Sequence, residues 1–111
     1  MFNKYCTVFV TSDKPKTVKK ITDSLIKNRL AACVSLVNGI NSVYHWKGKV
    51  TRSKEILMII KTKKSLLKNL VKQVKELHDY EVPEITALDI IGGNPEYMEW
   101  IKKETKNGAE L

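Results

Sequence analysis

Leu30–Lys63 reads LAACVSLVNGINSVYHWKGKVTRSKEILMIIKTK, and this stretch decides the fold. Its pattern is one β-hairpin: a first arm from about Ala32 to Trp46, a turn at Lys47-Gly48-Lys49, and a second arm from about Val50 to Lys63. Ile40, Ser42, Tyr44 and Trp46 line one face of the first arm, with Asn41, Val43 and His45 on the other. Asn38-Gly39 breaks the alternation, because Val34 and Leu36 share a face while Val37 is apolar too. A glycine inside a strand pattern predicts a bulge or bend there. An arm of about 15 residues at about 3.3 Å each reaches roughly 50 Å, where an ordinary strand has about 5–6 residues. Such a hairpin overhangs its own domain and leaves an edge that needs cover. The second arm changes character along its length. Ile56-Leu57-Met58-Ile59-Ile60 is apolar on both faces and predicts a central strand, whereas Thr51–Glu55, TRSKE, is polar and is expected to project.

Working outward from the hairpin, Tyr5–Val10 (YCTVFV) is β-branched and aromatic, with apolar residues on both faces, and predicts a strand buried on two sides. Thr11-Ser12-Asp13 offers capping oxygens, and Pro15 suits an early helical position. Val18, Ile21, Leu25 and Ile26 then give one apolar stripe, predicting a helix over about Lys14–Arg29. After the hairpin, Ser65 is placed to cap a helix over about Ser65–Leu77, with Leu67, Leu70, Val71, Val74 and Leu77 as its stripe. His78–Glu84 is a polar linker containing Pro83. Ile85–Ile91 predicts a fourth strand, ended by Gly92-Gly93. Asn94 caps a third helix with Pro95 at its first position, Glu96 and Glu99 near the positive end of the dipole, and Tyr97, Trp100 and Ile101 as its apolar stripe. The tail Lys106–Leu111 is expected to fray.

The order β-α-β-β-α-β-α is the ferredoxin-like split βαβ arrangement, an α+β fold. Strands 1 and 3 take the centre and strand 2 an edge. Right-handed crossovers put both main helices on one sheet face. The other face is also apolar, and one short third helix cannot cover it. An exposed apolar sheet marks an association surface, so the chain is expected to be an obligate oligomer packed sheet to sheet.

With 111 residues, one domain spanning 1–111 is expected, large enough for a core without staples. The formal charge of +8, from 20 Lys+Arg against 12 Asp+Glu, favours solubility and anionic partners without selecting one. The lysines are spread over every predicted element, which reads as a solvated surface. Cys6 and Cys33 sit in apolar runs and argue against a disulfide framework. Met1–Lys4 leads straight into a strand, and no apolar stretch reaches membrane-spanning length. The implied setting is soluble, reducing and cytoplasmic, with no membrane partner.

The chemistry-bearing residues are few. Cys6, Cys33, His45 and His78, with Asp79, Glu81 and Glu84, are the candidate metal donors, but no CxxC, HxxxH or HExxH spacing joins them. Cys33 fits a packed small residue better than a ligand. His78 closes the second helix, where an imidazolium would meet the helix dipole favourably. No nucleophile–base pair is evident, so no catalytic residue is assigned. Gly92-Gly93-Asn94 could bind an anion, but ending a strand and starting a helix already explains it. RNA-recognition domains share this topology and place stacking aromatics on the two central strands. Strand 1 offers Tyr5 and Phe9 and strand 3 offers none, so nucleic acid is not the expected partner. Tyr44, His45 and Trp46 at the hairpin tip and Tyr80, Glu81 and Glu84 in the linker form a cluster with two readings, interface packing or a pocket between subunits.

Taken together, Leu30-Ala31-Ala32-Cys33-Val34, Asn38-Gly39, Ser42-Val43-Tyr44-His45-Trp46-Lys47-Gly48-Lys49, Ile60-Lys61-Thr62 and His78-Asp79-Tyr80-Glu81-Val82-Pro83-Glu84-Ile85 resemble the CutA divalent-cation tolerance family, over nearly the whole chain. The resemblance implies a compact homotrimer with sheets turned to the three-fold axis and hairpins interlocked between subunits. It implies no catalytic reaction and no obligatory cofactor, and a link to tolerance of copper or another divalent cation. The family's bacterial metal pattern, a Cys after strand 1 and a His-His pair, reads here as Thr11 and Leu77-His78. That leaves His78, with Asp79 beside it, as the metal candidates. Tyr44, Trp46, Lys61, Tyr80 and Glu84 are the candidates for an intersubunit cleft. The likeness of the trimer to PII-type signalling proteins implies an alternative, a regulatory protein that binds a small molecule or partner protein in that cleft without metal.

Overall fold

The computed structural model describes residues 4–107. Its elements are β1 (Tyr5–Ser12), α1 (Pro15–Lys27), β2 (Cys33–Trp46), β3 (Lys49–Lys63), a 3₁₀ turn (Lys64–Leu66), α2 (Leu67–Leu77), β4 (Ile85–Asp89) and α3 (Pro95–Glu104). The sheet order is β2-β3-β1-β4, with every neighbouring pair antiparallel. Strands 1 and 3 are central and β2 is an edge, as the split βαβ reading requires.

The hairpin has the predicted form. Lys47 and Gly48 make its turn with φ of 50° and 80°, and two residues at positive φ are the tight turn whose twist matches paired strands. The register shifts between Val37 and Ile40. Gly39 sits in that shift at φ 75°, a left-handed conformation that glycine adopts without steric cost. The molecule is 43 Å along its longest axis and 22 Å along its shortest, because the distal hairpin extends past the helices.

Alternation along the strands sorts the sheet into two faces. Cys6, Val8, Val10, Met58 and Ile60 are buried under Val18, Ile21 and Leu25 of α1 and Leu66, Leu70 and Val74 at α2. Both main helices therefore cover one face. On the opposite face Thr7 pairs with Lys61, Phe9 with Ile59 and Thr11 with Leu57, and Phe9, Leu57 and Ile59 are only half-buried. Further out on this face, Val37 and Leu88 are exposed.

Several predicted boundaries move, each for a local reason. β1 continues to Ser12, which is fully buried. Ser12 Oγ accepts the Lys14 amide at 3.2 Å, and α1 starts without a side-chain cap. Helix α1 stops at Lys27 because Arg29 turns to φ 54°, and the Leu30 amide closes back on the Leu25 carbonyl at 2.9 Å. Ser65 does not cap α2. The chain enters through a 3₁₀ turn that drives Leu66 into the core, leaving Ser65 exposed. β4 ends at Asp89 rather than Ile91, and Ile91 is 90% exposed. Asn94 does cap α3, its Oδ1 accepting the Glu96 amide at 3.1 Å. Only Ile101 of the predicted α3 stripe is fully buried. Tyr97 and Trp100 instead stack on each other with ring centres 5.5 Å apart. The predicted fraying tail lies outside the described residues from Gly108 onward.

Helix α3 is anchored to the sheet end away from the hairpin tip. Lys63 Nζ donates to the Thr105 and Lys106 carbonyls at 3.0 Å each, and Arg29 pairs with Glu104 at 3.1 Å. The half-exposed sheet face thus lies between α3 at one end and the His78–Glu84 linker at the other.

Candidate functional site

The linker leaves α2 at His78 and crosses the end of β1. His78 is buried, and its Nε2 lies 2.7 Å from the Thr11 carbonyl. A carbonyl only accepts, so Nε2 carries the proton. Nδ1 then accepts the Tyr80 amide at 3.1 Å. Both ring nitrogens are engaged by the backbone, and the ring packs 4.5 Å from that of Tyr80. His78 is a clamp that fixes the linker against β1. Asp79 points outward to Lys14 Nζ at 2.7 Å. The Lys14 hydrogen bond and charge hold its carboxyl below the ordinary aspartate range, against a smaller opposing effect of burial.

This clamp delivers Tyr80 to the face not covered by α1 and α2. Its hydroxyl donates to Glu55 Oε2 at 2.7 Å. Burial first, and the Glu55 carboxylate second, push the phenol well above its ordinary range, so it stays a protonated donor. Glu55 is only 6% exposed, which corrects the expectation that all of TRSKE projects. The signal was present in the sequence: Glu55 is in phase with Leu57 and Ile59 and shares their face.

A cavity of about 780 Å³ opens between the distal hairpin and the linker. Tyr44, Trp46, Tyr80 and Glu84 all line it, with Glu55 deep, Asp79 and Glu81 on the linker side, and Thr11 and Ser42 as neutral polar groups. Four of the five predicted cleft residues are therefore together. Lys61 is not among them. It pairs with Thr7 and Cys33, six residues along β3 from Glu55, or roughly 20 Å. Around the rim, Lys47 Nζ lies 3.8 Å from Glu81 and 5.7 Å from the Trp46 ring centre. Tyr44 and Ser53 hydroxyls meet across the hairpin at 3.3 Å, and Glu84 accepts from Thr86 at 3.1 Å.

No group of three or more His, Cys, Asp or Glu side chains is arranged to hold a metal ion among the described residues. Cys6 is buried and Cys33 half-exposed, and both are free thiols. Burial is the main cause raising the Cys6 thiol above its ordinary range, which suits a packed rather than a reactive group.

With this geometry in view, comparison with known proteins is decisive. The family model for the CutA1 divalent ion tolerance protein matches residues 6–104. The chain belongs to the CutA1 family. It is 48% identical over 100 residues to the chloroplastic protein CutA of Arabidopsis thaliana, covering 90% of this chain and 55% of that protein. The divalent-cation tolerance protein CutA of Thermus thermophilus is 41% identical over 98 residues, covering 88% of this chain and 95% of that one. The crystal structure of CutA1 from Oryza sativa superposes with a TM-score of 0.90 at 47% identity, covering 95% of this chain and 96% of that chain. The chain spans about half the length of the plant relative, where it spans nearly all of the bacterial one. The CutA1 fold is thus established for this chain. No helix among the described residues is long and apolar enough to cross a membrane.

Proposed function

We propose that the protein is a homotrimeric, non-enzymatic member of the CutA1 family that acts in divalent-cation tolerance by binding a ligand in the hairpin-tip cleft. The observation that carries this reading is the cleft itself. It has the volume of a small-molecule site, aromatic walls, and a buried Glu55 bonded to a half-buried Tyr80 that His78 holds in place. The trimer is supported by the half-exposed sheet face carrying Phe9, Leu57 and Ile59, which the chain leaves without a helix layer. The cytoplasmic setting remains part of the proposal and rests on the two free thiols.

Under this reading the link to metal tolerance runs through the cleft and not through copper on His78 and Asp79. Those two side chains already serve the Thr11 carbonyl, the Tyr80 amide and Lys14. Calorimetric titration of copper into the protein and into His78→Ala decides the point. The expected result is the same heat in both. A binding isotherm that His78→Ala abolishes would establish direct coordination instead.

A further inference from the structure

We infer that the outer surface of the helix layer, formed by α1 and α2, is a docking surface for duplex nucleic acid, held through its phosphate backbone without regard to sequence. This surface is separate from the hairpin-tip cleft. It lies across the sheet from the face proposed to carry assembly, so a trimer built on that face leaves it open to a partner.

Lysines occur on every element, but their carboxylate partners do not. Helices α1 and α2, 13 and 11 residues long, carry seven lysines against Asp23 and Glu76. They therefore hold +5 of the chain's formal +8. The carboxylates gather elsewhere, with Glu55, Asp79, Glu81 and Glu84 around the cleft and Glu96, Glu99 and Glu104 on α3. Ion pairing follows the same division. Lys14–Asp79, Arg29–Glu104, Lys47–Glu81 and Lys64–Asp89 lie outside the two helices, and Lys19–Asp23 is within α1. Lys16, Lys20, Lys27, Lys68, Lys72 and Lys75 are exposed and have no carboxylate partner among the described residues.

Spacing sets these six in two rows. Lys16, Lys20 and Lys27 stand at i, i+4 and i+11, within about 40° of one another around α1. Lys68, Lys72 and Lys75 stand at i, i+4 and i+7, within about 60° around α2. Val18, Ile21 and Leu25 of α1 and Leu70 and Val74 of α2 occupy the opposite, buried sides. Gln73 Nε2 donates to Ser24 Oγ at 2.9 Å, so the helices lie side by side and the two rows share one surface. The rows run about 16 Å and about 10 Å along their axes. Like charges held together repel, and a polyanion relieves that repulsion.

The residue types choose the polyanion. Neither helix contains an aromatic residue, so the surface cannot stack splayed bases in the way single strands are held. This mode also differs from base stacking on the open sheet, for which β3 supplies no aromatic. Lysine is a compact point charge that meets a phosphate without selecting a base. A duplex presents one charge per about 1.7 Å of axis, so a row of about 16 Å faces several phosphates. A lipid surface is the weaker fit, because stable membrane contact by a basic face takes a second anchor. Ile26, 42% exposed, is the one large apolar side chain these helices leave exposed.

Fluorescence anisotropy of a labelled DNA duplex of about 20 base pairs tests this on the whole chain, from about 50 to about 200 mM salt. The expected result is saturable binding, equally tight for two unrelated sequences. Its log–log salt slope should be about −3 to −5, as for three to six phosphates neutralised at about 0.9 each. Lys20→Gln with Lys72→Gln should weaken binding by roughly tenfold or more and flatten the slope by about 2. Lys16→Gln with Lys75→Gln should do the same. Far-ultraviolet spectra check that these surface variants stay folded. Lys102→Gln with Lys103→Gln makes the same charge change on α3 and should leave the slope unaltered. A control pair that flattens the slope as much as the helix-layer pairs would overturn the inference, because net charge and not this surface would then be responsible. Absence of saturable duplex binding at about 50 mM salt would overturn it too. Phosphatidylserine vesicles that bind with the same dependence on Lys20 and Lys72, where the duplex does not, would replace nucleic acid with a lipid surface.

Discussion

The two faces of one four-stranded sheet differ by a single residue of register, and that step separates the helix-covered core from the half-exposed face proposed to carry assembly. Cys6, Val8, Val10, Met58 and Ile60 meet two helices and are fully buried. Their immediate neighbours Phe9, Leu57 and Ile59 are as apolar, yet remain half-buried because no helix layer reaches them. A chain stabilises itself with the first set. The second set is available to another copy, and at its distal end it runs into the cleft through Glu55.

Substitutions on the two faces should therefore fail differently. The largest effect is expected for Ile60→Ala on the helix-covered face. Truncating a fully buried isoleucine costs about 2–5 kcal/mol, so urea unfolding should shift strongly whatever the assembly state. Trp46→Ala comes next. Its expected signature is a weaker trimer by about 2 kcal/mol or more, read from the concentration dependence of sedimentation, with the far-ultraviolet spectrum of the fold retained. An unchanged equilibrium would detach the hairpin tip from assembly. His78→Ala should cost about 1–3 kcal/mol, because it strands the Thr11 carbonyl and the Tyr80 amide. It should also loosen the linker, visible as faster amide exchange at Tyr80. The smallest effect belongs to Asp79→Asn. The Asp79 carboxyl is held below its ordinary value by Lys14, so the contribution is present above about pH 4 and lost as pH falls through the depressed folded-state value. Melting curves of the two proteins should differ slightly at pH 7 and converge in strong acid. A difference that persists there would place the effect elsewhere.

The fold was legible because its signals are local and repeated. Period-2 alternation, Lys47-Gly48, Gly39 and Asn94 each dictate a backbone feature that the structure shows at that residue. Where the structure departs from the sequence pattern, tertiary packing decides. Ser65 lost its capping role when Leu66 took the core position. Glu55 groups with its polar neighbours by composition, although its phase with Leu57 puts it on the buried side. Within one chain Tyr44, Trp46, Tyr80 and Glu84 share a cavity and Lys61 lies far along β3, so its place in an intersubunit cleft depends on a second copy. Nothing in the one-dimensional pattern says how far a strand carries a residue from a site. His78 carries two readings in the sequence, a helix-end cation or a metal donor, and only the positions of the Thr11 carbonyl and Tyr80 amide reveal its role as a clamp on the linker.

We propose that the face bearing Phe9, Leu57 and Ile59 joins three chains. Multi-angle light scattering on the protein and on Ile59→Asp tests it most directly. Three times the chain mass is expected for the parent protein and a lower mass for the folded variant, since a carboxylate cannot be buried there without a partner. A parent protein that runs as a folded monomer, or an Ile59→Asp variant that remains a full trimer, would contradict it.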